Sequence, residues 1–153
     1  MASKKKIIKQ VEMPEGKTIA QGGNPERYYN DKPAWSFATV DTSKWAFSEE
    51  HIGDVLWSEI MPKLKGFESQ TWNEILQMHK KQNHSINPSL LNKVAQDRLV
   101  ELHIEAESII SLRFTGNHRL YGYMSGRVFN ILWYDDDHGD NTTCVCRSRK
   151  KGT

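Results

Sequence analysis

Residues 111–134 read SLRFTGNHRLYGYMSGRVFNILWY, and the period of this stretch decides what kind of fold the chain can build. Ile110, Leu112 and Phe114 alternate with Ser111, Arg113 and Thr115, which puts the two sets on opposite sides of a strand. TGNH at 115–118 has turn chemistry, and RLYGYM at 119–124 resumes as a second strand. SG at 125–126 is expected to form a two-residue hairpin turn in which Gly126 takes a positive φ, leading into a third strand, RVFNILWY, at 127–134. Three successive antiparallel strands follow from this reading.

Upstream, AWSFATVD at 34–41 reads as the first strand, with Trp35, Phe37 and Thr39 on one face and Asp41 ending it. The period then lengthens. Ser48 is placed to cap a helix with Glu49 and Glu50 in its positive first turn and Ile52, Val55, Leu56 and Ile60 on one side. Pro62 kinks or ends that helix, and Ser69 is expected to cap a shorter one carrying Trp72, Ile75 and Leu76. Asn87 and Pro88 open a further helix whose buried stripe is Leu91, Val94, Ala95, Leu99 and Leu102. The order is strand, two or three helices, then three or four antiparallel strands: an α+β fold with the helices on one sheet face.

The chain has 153 residues, 37% of them hydrophobic, with five each of Trp, Tyr and Phe, enough for one core without disulfides or structural metal. A mean hydropathy of -0.68 leaves part of the chain outside that core. Residues 1–33, with Pro14, Gly16, Gly22, Gly23, Pro25 and Pro33, read as an extended or partly disordered arm, in which KKIIKQVEM at 5–13 could add a strand to a sheet edge. Residues 34–149 read as a single α+β domain and 150–153 as a basic tail. The formal charge is only +2, with Lys and Arg crowding both ends and acids gathering at 97–107 and 135–140. No apolar run is long enough to span a bilayer and the first residues lack a signal-peptide pattern, so a cytoplasmic protein without a membrane partner is expected. TTCVCRSR at 142–149 alternates as a last edge strand. On such a strand Cys144 and Cys146 share a face with sulfurs poorly placed for a bond, which favours two reduced residues over a metal site.

Helices on one face leave the other open, and the polar residues of the period-two strands collect there. Arg113 and Arg119 flank the TGNH turn, where two guanidinium forks could grip one phosphate. His118 and His138 offer proton transfer, and Tyr121 and Tyr123 offer ring faces for bases. Metal-independent RNA cleavage needs a base, an acid, a cation and a means of holding bases apart, and these residue types can supply all four. The same residues also have an ordinary reading as sheet arginines paired with acids and aromatic packing. YDDDHGD at 134–140 offers oxygen ligands and an imidazole but lacks the spacing of an EF-hand loop, and its charge would repel RNA, so no metal or cofactor is expected.

SLRFTGNHRLYGYMSGRVFNILWY, together with the element order, resembles the C-terminal strands of RelE/YoeB-type toxins of the RelE/ParE superfamily. There an arginine-bearing strand, a short turn and an HRL-type strand precede an apolar strand. The resemblance covers roughly residues 35–138 by topology and about 25 residues by pattern. It implies that Arg119 stabilises the scissile phosphate, that Arg113 assists, and that His138 or Tyr134 moves the proton. It also implies mRNA endonuclease activity (an mRNA interferase), with RNA, the ribosome and an antitoxin as partners; ParE-like relatives instead poison DNA gyrase. The chain departs from the pattern in its length, its weak basicity and its aspartates. Arg147 and Arg149 would restore positive potential if the last strand lies beside the site. A non-catalytic module docking a basic partner through YDDDHGD, and a metal-dependent enzyme using Asp135, Asp137 and His138, stay open as alternatives.

Overall fold

The computed structural model describes residues 18–19, 27–137 and 144–146. Seven strands, β1 (Thr18–Ile19), β2 (Ala34–Ser36), β3 (His84–Ile86), β4 (Ile104–Glu105), β5 (Ile109–Arg113), β6 (Arg119–Ser125) and β7 (Val128–Asp135), combine with α1 (Glu49–Ile52), α2 (Met61–Phe67) and α3 (Lys93–Glu101) in an α+β arrangement. The main sheet has the order β2-β7-β6-β5-β3, and β1 and β4 form a separate parallel pair. The run β5, β6, β7 is antiparallel as the alternation requires. One expectation changes here: β2 is three residues long, shorter than the strand expected at 34–41, and it lies parallel to β7. It stops early because Ser36 Oγ accepts the Ala38 N–H at 3.3 Å and the chain turns, with Val40 N donating to Phe37 O.

Helical segments follow their caps. Ser48 Oγ accepts the His51 N–H, and Gly53, at φ 54°, ends α1. A turn widened to i→i+5 bonding at Leu56–Ile60 runs directly into α2 before Pro62, which has no N–H and would clash four residues back in a regular helix. Thr71, not Ser69, caps the next segment: Thr71 N donates to Glu74 Oε1 at 2.8 Å while Glu74 N donates to Thr71 Oγ1 at 3.3 Å. The helix expected from Asn87 is split. Asn87 caps only the short turn Pro88–Leu90, and Asn92 caps α3 anew, so Leu91, Ala95 and Leu99 are buried while Val94 faces solvent.

Both sheet faces are covered, a further departure, since a single helical layer is expected. On one face Leu112, Leu120, Phe129, Ile131 and Tyr134 pack against Ile52, Ile60, Leu64, Phe67, Trp72 and Ile75. On the other, Ile109, Tyr121, Tyr123, Leu132 and Trp133 pack against Leu91, Ala95 and Leu99 around α3, together with Val145. Each fully buried aliphatic such as Ile60 or Leu112 contributes roughly 1.5–3 kcal/mol. Of the expected arm, Thr18–Ile19 pair with β4, and residues 27–33 pack on the domain: Trp72 N donates to Asp31 O at 3.0 Å, and the Tyr28 ring meets Trp72 edge-on. The KKIIKQVEM strand and the 150–153 tail lie outside the described residues.

Two glycines set the geometry of the hairpin. Its loop is Gly126–Arg127, one residue later than SG, because Ser125 pairs with Val128. Gly126 has φ 60°, the first-position glycine of a two-residue turn that follows the sheet twist. Gly122 marks a bulge between β6 and β7, where a Cβ would stand 2.2 Å from Asn130 O. No helix among the described residues is long and apolar enough to cross a membrane.

Candidate functional site

Arg113 ends β5 and Arg119 begins β6, and the antiparallel register sets them directly opposite each other. Side chains so paired point the same way, with Cβ atoms about 4.5–5.5 Å apart, and like charges there repel. Arg119 is half-buried, its Nη1 donating to Gly116 O at 2.8 Å and His118 O at 3.0 Å, whereas Arg113 is exposed. Burial, and next the Arg113 charge, lower the Arg119 pKa, opposed by Tyr121, Asp135 and Cys146. Asn83 locks this end of β5: it accepts the Arg113 N–H at 2.8 Å and donates to Ile75 O at 3.3 Å.

The row extends across the sheet. His84 on β3 pairs with Ser111, and therefore lies on the same face as Arg113. Desolvation first, and the Arg119 charge second, lower the His84 pKa and favour the neutral imidazole. Asp135 on β7 stands opposite Arg119, is 1% exposed, and accepts the N–H groups of Val145 at 2.8 Å and Asp137 at 3.0 Å. Burial outweighs those bonds and raises its pKa. His84, Arg113, Arg119 and Asp135 thus come from four neighbouring strands onto one face and one end of the sheet.

His118 does not join them. One residue before Arg119, it turns to the opposite face, where its Nδ1 bonds the Tyr134 hydroxyl and lies 3.6 Å from Glu59 Oε1. Glu59 Oε2 accepts the Thr115 N–H at 3.1 Å, and the His51 ring bonds Tyr134 O at 3.0 Å. Burial, followed by the Glu59 and Asp136 charges, pushes the Tyr134 phenol far up. Tyr134 is 1% exposed, so it is a buried link between His118 and the helical layer and not a proton donor beside Arg119.

Tyr121 and Tyr123 also change roles. Both rings are closed inside the second core and present no face to a base, since residues that were expected to line an open sheet lie under α3. His138, Arg147 and Arg149 lie outside the described residues. Asp137, with Asp136, Ser43, Trp45 and His51, lines a concavity of ≈ 350 Å³ beside the site. Among the described residues, no three His, Cys, Asp or Glu side chains converge as a metal ion would require.

Reading the sequence missed His84, which sits in NHSINP at 83–88, between the two helical stretches. Its position depends on pairing with Ser111, a contact that no local pattern encodes. Asp41 was read only as a strand stop, yet it is the best-bonded acid of the second core. Its Oδ2 accepts Arg98 Nε at 2.8 Å and Trp133 Nε1 at 2.9 Å, and its Oδ1 accepts Arg98 Nη2 at 3.0 Å and Ser43 N at 2.9 Å. Comparison with protein-family models, curated proteins and solved structures gave no match.

Proposed function

We propose that the protein is a RelE/YoeB-like RNA endonuclease that cuts by metal-independent acid–base chemistry, with Arg113 and Arg119 holding the scissile phosphate. The carrying observation is the direct opposition of these two residues in the β5–β6 ladder at one sheet end, with their charges close enough to interact. Two cations facing each other across a ladder destabilise it unless an anion sits between them, and a phosphodiester fits that demand with two forks of donors. Arg119 is held by backbone carbonyls, which orient the group without neutralising it.

Cleavage starts when a base removes the 2′-hydroxyl proton so that this oxygen attacks phosphorus. His84, whose pKa is lowered by desolvation and then by the Arg119 charge, is the base on this face, and Arg119 stabilises the charge that builds on the phosphorane. The resemblance implies proton transfer by His138 or Tyr134, and in this reading His138 is the acid for the departing 5′-oxygen. Asp135 weakens the repulsion expected of an acidic loop, because its carboxyl is buried, bonded inward and shifted toward the neutral form. A message presented by the ribosome would need little further basic surface, in keeping with a net charge of +2.

Incubation of the purified protein with free RNA, and separately with programmed ribosomes, followed by mapping of new 5′ ends, tests this reading. Arg119→Ala is expected to lower cleavage about 100-fold. His84→Ala should lower it by a similar factor, while His118→Ala leaves the chemistry in place. If the folded wild type cuts neither substrate and its induced expression slows neither growth nor translation, the nuclease reading fails.

A further inference from the structure

Cys144 and Cys146 depart from the strand geometry expected of them. The chain bends at Cys144 and Val145, and the two sulfurs come within 3.0 Å of each other, both as thiols. Neighbouring contacts hold the bend in place. Val145 N donates to the buried carboxylate of Asp135 at 2.8 Å, Val145 O accepts the Asn92 N–H at 2.8 Å, and Cys146 bridges to Leu91. Cys144 is buried and Cys146 is half-buried, so an outside reagent meets Cys146 first.

We propose that Cys144 and Cys146 form a redox-active dithiol that exchanges with disulfides of small thiols. The Cys146 thiolate attacks one sulfur of the incoming disulfide, forming a mixed disulfide and releasing one small thiolate, which takes up a proton. Cys144 then loses its proton and attacks the Cys146 sulfur, closing the Cys144–Cys146 bond and releasing the second small thiol. Two electrons pass from the cysteine pair to the small disulfide, and both of its halves leave as thiols. Arg119 lies close enough to Cys146 for the two to interact electrostatically. A bond closing so short a loop removes little freedom from the unfolded chain, so stabilisation does not account for the pairing, whereas ready opening and closing does. The inference stands independently of the RNA reading, since neither sulfur has a part in phosphate chemistry.

The test treats the full-length folded protein with excess oxidised glutathione in the presence of EDTA, then measures intact mass and alkylation. Wild type is expected to lose two hydrogens and both alkylation sites, with no lasting adduct. Cys144→Ser should stop at a glutathione adduct on Cys146, formed within about twofold of the wild-type rate. Cys146→Ser should react at least about tenfold more slowly, because its remaining thiol is buried. Circular dichroism confirms that each variant is folded. A lasting glutathione adduct on wild type, a disulfide between chains, or an unreacted dithiol under conditions that oxidise the unfolded chain would each overturn the proposal.

Discussion

Asp41 and Asp135 are two carboxylates with almost no exposed surface, 2% and 1%, and their proton affinities move in opposite directions. Burial alone would raise both. At Asp41 the hydrogen bonds from Arg98, Ser43, Trp133 and Lys44 more than offset it and bring the pKa down to about 2. Asp135 has two backbone N–H donors, with Asp136 and Asp137 adding repulsion, and burial prevails. The difference teaches that depth does not decide what a buried acid is for; the number and charge of its donors do. Asp41 ties the segment before α1, helix α3 and strand β7 into one core, whereas Asp135 is held less firmly beside the arginine pair and the dithiol.

The largest effect is expected from removing the well-bonded acid. Asp41→Ala leaves Arg98 and the Trp133 N–H without their acceptor and should cost roughly 3–5 kcal/mol, read as a fall in the urea midpoint at constant slope. The pH dependence should separate the two acids. Because the folded pKa of Asp41 is depressed, its contribution is present above the unfolded value of 3.8 and is lost as pH falls through about 2. The stability gap between wild type and Asp41→Asn should therefore close by about 2 kcal/mol over that window.

Gly122→Ala attacks the register that serves both acids, since the bulge sets Trp133 opposite Tyr121 and Asp135 opposite Arg119. The added methyl would meet Asn130 O and the Phe129 ring, and a loss of about 1–3 kcal/mol is expected in the same titration. Asp135→Asn should stay within about 1 kcal/mol of wild type at neutral pH. Its pH trend has the opposite sign: the raised pKa means the folded state binds its proton first, so wild type gains on the variant as pH falls toward 3.8. Finally, Asp97→Ala breaks the exposed Lys93–Asp97 pair at 2.6 Å and should change stability by less than about 0.5 kcal/mol, the reference for a carboxylate that solvent already serves. An Asp97 effect as large as that of Asp41 would remove the distinction.

Much of the fold was legible from local signals. Alternation placed β5, β6 and β7, Ser48 and Asn87 announced caps they do make, and Gly126 marked the hairpin. The arginines at the sheet end could be picked out because a strand, a turn and a strand bring residues a few positions apart together. His118 was misplaced because it lies a single residue from Arg119, and in a strand one residue is the difference between the two faces. Tyr121 and Tyr123 were read as exposed because the sequence pattern of a strand under α3 differs little from that of one facing solvent when the buried residues are tyrosines.

By itself the sequence determined the periods, caps and turns, and with them an α+β chain whose last three long strands are antiparallel, because each of these depends on residues within one or two turns of one another. Only the tertiary structure decided that β2 runs parallel to β7, that α3 closes the second face, and that His84 stands in line with Arg113 and Arg119. These arise from contacts between residues far apart in the chain, chosen by how two separate apolar cores can be buried on one sheet at once. The same long-range packing sets the surroundings of Asp41 and Asp135, and so gives two identical side chains opposite proton affinities.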